Sequence, residues 1–167
     1  MRSEDASVFR HTPTSQLFSR LLADLGVLIE RERDIEHVDV FDPAFSNWLR
    51  DAERAHASVM SGLLSLLDSP AQRAEDRALQ RIALGLQALM KTEAPGEFKR
   101  IYDVIHRFPS AFLCPGPSAF ARWSTAMLAT MRTRMTDLLS LTAYVDDYDI
   151  APDAEVPDSV PFALAAA

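Results

Sequence analysis

Cysteine, glycine and lysine are scarce in this 167-residue chain, which has one Cys, five Gly and two Lys. A single thiol, Cys114, excludes an internal disulfide and a cysteine metal cluster, and it agrees with a reducing compartment. The glycines are scattered, which excludes a phosphate-cradling glycine-rich loop, and no serine sits in a nucleophile elbow. Arg20, Asp24, Arg132 and Asp137 interrupt the longest apolar stretches before the ~18 residues that a membrane span needs. The N-terminus, with Arg2, Glu4 and Asp5, lacks the layout of a signal peptide. The expectation is a cytoplasmic protein with no membrane partner.

Positive charge is also thin. Six of the formal −7 charges fall on Asp146, Asp147, Asp149, Asp153, Glu155 and Asp158, where no base accompanies them, which leaves −1 for residues 1–145. A nucleic-acid binder needs a basic face to displace counterions from phosphates, and the arginines here are interleaved with acids, as from Glu30 to Glu36. No nucleic-acid partner is expected. The preference for Arg over Lys, with much Ala and Leu, matches the coding bias of a GC-rich bacterial genome.

What the chain does have is helical periodicity. Thr14 or Ser15 caps a first helix over 14–34, with Leu17, Phe18, Leu21, Leu22, Leu25, Leu28 and Ile29 at helical spacing. Asp42-Pro43 opens a second over 43–67, and Asp68-Ser69-Pro70 a third over 70–92 that should lie antiparallel to it. Ala94-Pro95-Gly96 precedes a short helix over 97–108, an apolar loop follows over 109–117, and Ser118 caps a last long helix over 118–145. The predicted fold is an all-α, single-domain bundle of four long helices plus one short one (1–145), followed by a disordered acidic tail (146–167).

Three of the four histidines follow a carboxylate by three residues: Asp34/His37, Glu53/His56 and Asp103/His106. On a helix that spacing puts carboxylate and imidazole on one face, as di-iron bundles require, so Asp24, Glu53, His56, Asp103 and His106 form a candidate metal set. Only His56 lies in the apolar stripe of a long helix, and counting along the first two helices puts Asp24 near its level, so a structural hydrogen bond of His56 with Asp24 or Glu53 is the plainer expectation. The run from His56 to Leu67 resembles the dimerisation helix of sensor histidine kinases or a phosphotransfer helix. It departs from that pattern in having no acid or Arg after the histidine, no Lys a turn away and no ATP-binding domain.

Cys114, between Leu113 and Pro115 with no base nearby, reads as an inert packed thiol. Met127, Met131 and Met135 recur every four residues; such a ladder is either core or an adaptable partner groove, since Met repacks cheaply. With the apolar loop at Phe112 and Leu113, these methionines are the candidate partner-binding residues. The final Leu164, Ala165, Ala166 and Ala167 resemble the Leu-Ala-Ala terminus of bacterial tagged-protein degrons read by ClpX-type unfoldases. The sequence-based expectation is a non-catalytic bacterial regulatory or adaptor protein without cofactor, forming a homodimer and binding a protein partner. The alternatives are a carboxylate/histidine metal- or haem-binding bundle, and a histidine phosphotransfer or ligand-sensing bundle.

Overall fold

The computed structural model describes residues 10–36, 38–39, 41–92, 96–114 and 116–144. Of these, 81% are helical and none is in a strand. The helices are α1 (Pro13–Glu36), α2 (Phe45–Asp68), α3 (Ala74–Lys91), α4 (Glu97–Arg107) and α5 (Ala119–Leu139), with 3₁₀ turns at Pro109–Phe112 and Thr142–Tyr144. The acidic tail, the four terminal degron-like residues and His37 lie outside the described residues. Among those described, no helix is long and apolar enough to cross a membrane.

Periodicity dictates which faces meet. α1 buries Phe18, Leu21, Leu25, Leu28 and Ile29, and α2 buries Ala52, Ala55, Val59, Leu63 and Leu66. The two run antiparallel, with Thr14 against Ser69, Asp24 beside Gly62 and Glu32 in the field of His56. α3 adds Leu79, Ile82, Leu86 and Leu89, and α5 adds Leu128, Met131, Met135 and Leu138 to the same core. Each of these Leu, Ile, Val, Phe and Met side chains withdrawn from water contributes about 1.5–3 kcal/mol. α4 is the exception in length, with 11 residues and two buried anchors, Phe98 and Ile105.

α2 opens two residues later than the sequence reading, at Phe45, with the Asp42 carboxylate accepting from the Ala44 amide at 2.7 Å before the helix. Three other boundaries differ through a hydrogen bond that periodicity does not report. α1 starts earlier, with Pro13 in its first turn and the Thr12 hydroxyl accepting from the Ser15 amide at 3.1 Å, so Thr14 and Ser15 are buried helical residues and do not cap it. α3 starts later, because the Asp76 carboxylate reaches back to the amides of Gln72 (2.9 Å) and Arg73 (3.0 Å) and fixes them outside the helix. The other Asp76 oxygen accepts from the Thr12 hydroxyl at 2.6 Å, which ties the starts of α1 and α3 together. α5 stops at Leu139, where the Ser140 hydroxyl donates to the Asp137 carbonyl at 2.6 Å and the Thr142 amide is taken by the Glu36 carboxylate of α1.

Candidate functional site

The helix α3 carries apolar residues on two faces. Ile82, Leu86 and Leu89 point into the core, while Leu84, one step out of that phase, is 57% exposed. α4 repeats the arrangement, with Phe98 and Ile105 inward and Val104 55% exposed. Gly85 sets how closely the two helices approach: a Cβ there would stand 2.8 Å from the Ile105 Cδ1 methyl, so only glycine admits α4 in this position without that side chain moving. At the start of α4, Gly96 takes φ 73°, a left-handed conformation that turns the chain into the helix.

Between these surfaces lies an open groove of about 440 Å³. Leu84, Gly85 and Ala88 of α3 form one wall, Ile101 and Val104 of α4 the other, and Phe112 of the 3₁₀ turn closes one end. The turn is pinned by Arg81, whose Nε donates to the Ala111 carbonyl at 3.0 Å. The charged residues of the lining are Arg81, Arg100 and Glu97, Glu97 accepting from the Thr92 hydroxyl at 2.6 Å. Exposed Phe108 and Leu113 carry apolar surface along the 108–113 segment beside Phe112. The lining is therefore concave and mostly apolar, with three charged side chains among it.

Of the partner-binding residues read from sequence, Phe112 lines this groove and Leu113 is exposed next to it. The methionine ladder belongs to the core: Met131 and Met135 are fully buried and Met127 is packed against the core cluster, because α5 turns that face toward α1 and α3. They present no partner groove, and this corrects the groove reading in favour of the core one.

The candidate metal set is dispersed. Glu53 and Asp103 are exposed, and His106 on α4 stacks on Tyr102 at 3.8 Å with its Nδ1 hydrogen-bonded to the Tyr102 carbonyl at 3.0 Å. Asp24 sits by Gly62, about 9 Å along α2 from His56, in a shallow polar groove with Arg20, Ser58 and Ser61. Among the described residues no three His, Cys, Asp or Glu side chains stand together as a metal site would need. The expected Asp24–His56 pairing fails for the same reason of register. The half-buried His56 instead lies in the field of Glu32, one level further along α1.

Burial pushes the Glu32 carboxyl above the usual carboxylate range, His56 opposing that shift and Glu36 adding to it. Burial also raises the Tyr144 phenol to about 12, with Glu32 contributing. Cys114 is buried, and burial followed by the negative field of Glu75 raises its thiol pKa, which keeps it protonated and inert.

Sequence reasoning missed Asp76, Leu84, Gly85 and Val104. The signals existed: Leu84 and Val104 are apolar residues out of phase with their stripes, and a mid-helix glycine costs about 1 kcal/mol against alanine unless something approaches it closely. No protein-family profile, curated protein or solved structure matches this chain.

Proposed function

We propose that this protein is a non-catalytic helical adaptor or regulatory domain that docks an apolar segment of a protein partner in the groove between α3, α4 and the Pro109–Phe112 turn. The observation that supports the reading is the groove itself, where Leu84 and Val104, both more than half exposed, face each other across a mostly carbon-lined cleft. Large apolar side chains left in such a cleft weaken solubility and add nothing to the core, so their use lies in a contact. The lining arginines Arg81 and Arg100 favour a partner segment whose apolar residues are flanked by acids.

The test fills the groove without altering charge. Ala88→Trp, at an exposed lining position, should leave the helical content and melting temperature unchanged and abolish co-purification of the partner from cells of origin. Undiminished co-purification with the groove filled would refute the assignment.

A further inference from the structure

Resting on that reading of the groove, we propose that its resting occupant is the chain's own acidic segment, residues 146–164, laid back in cis, so that a partner must displace it. The first argument is where the segment is rooted. Tyr144, the last described residue, packs its ring 5.2 Å from that of Phe98, and Glu97, next to Phe98, and Ile101, three residues on, line the groove. The Thr142 amide, held by Glu36, fixes the preceding turn to the end of α1. The chain therefore leaves the bundle next to α4.

Reach is ample. The 11 residues of α4 span about 16 Å at 1.5 Å each. An extended chain covers roughly 3.3 Å per residue, so about five residues match the length of α4 and the remainder of the segment serves as the return path.

Charge and shape agree with that reach. Residues 146–164 carry six acids and no base, against a lining whose charged residues are Arg81, Arg100 and Glu97, two positive and one negative. Their apolar residues, Tyr148, Ile150, Val156, Val160, Phe162 and Leu164, include a stretch broken by Pro157 and Pro161. Proline favours an extended left-handed conformation and removes amide donors that apolar walls could not satisfy, which is why proline-containing segments suit such grooves. Tethering supplies an effective concentration of order millimolar, so a weak contact keeps the groove covered and a tighter-binding partner still opens it.

The experiment places the photoreactive residue p-benzoylphenylalanine at position 84 of the purified 167-residue chain. Irradiation should give an adduct of monomer mass that maps to residues 146–164, with a yield independent of protein concentration. The same probe at Leu64, an exposed position on α2 away from the groove, should give none. Replacing Asp153, Glu155 and Asp158 with Asn should lower the yield about fivefold, the loss expected of a few exposed charge attractions. An adduct to a second copy, growing with concentration, would overturn the cis arrangement while leaving the groove a docking surface. No adduct at all would also overturn it, and the groove assignment would then stand or fall with Ala88→Trp.

Discussion

At its N-terminal end α3 is closed by a buried charge: Asp76 is wholly enclosed and holds the Thr12 hydroxyl and the amides of Gln72 and Arg73. Two to three turns further on, the same helix presents Leu84, Gly85 and Ala88 to an open cleft. The contrast separates two uses of residues that break the ordinary inside–outside rule. A buried carboxylate with every oxygen engaged fixes chain geometry, since any alternative packing strands the charge. An exposed leucine in a concavity fixes nothing, and it remains available to a second segment.

The closed end should therefore be sensitive and the open one tolerant. Asp76→Ala removes an acceptor from three donors in a dry site and should cost about 3–4 kcal/mol in urea unfolding, a large part of the 5–15 kcal/mol typical of a domain. A loss below ~1 kcal/mol would mean that the junction of α1 and α3 is solvated and the contrast false. Met131→Ala tests the same distinction on α5: as a fully buried core residue it should cost about 2–4 kcal/mol. Unchanged stability would return the methionine ladder to the surface role that its spacing also permits.

A smaller effect is expected in the pH dependence. The Glu32 carboxyl is raised in the folded state, so its favourable contribution is complete below the usual carboxylate range and is lost as pH rises through its raised value. Glu32→Gln should flatten that part of the pH–stability profile and slightly raise the melting temperature at neutral pH. Tyr144, at about 12, is the alkaline counterpart: stability falls as pH climbs from the ordinary phenol range through that value, and Tyr144→Phe should remove this limb. Matching profiles for wild type and both variants across pH 4–12 would show these groups to be solvated.

Much of the bundle was legible because helical stripes are local. The set Leu79, Ile82, Leu86 and Leu89 can be read from spacing alone, as can the breaks at Asp68-Ser69-Pro70 and Pro95-Gly96. Features set by two helices at once were not. The phase of α4 against α3 decides that Leu84 and Val104 share a groove, and it depends on Gly85 admitting Ile105. Register likewise put Asp24 beside Gly62 where counting residues through the connector had put it at His56. The Asp76 junction spans 64 positions of sequence, a distance at which no spacing rule links a threonine to an aspartate.

The groove assignment is tested most directly by the same substitution at two leucines of equal exposure, Leu84 in the groove at 57% and Leu64 on α2 at 58%. Replacing either with Asp should shift stability by no more than about 0.5 kcal/mol, as for other exposed positions. Partner association, followed by co-purification from the same cells, should survive Leu64→Asp and disappear with Leu84→Asp. Association that is lost equally in both variants, or retained in Leu84→Asp, would contradict the account.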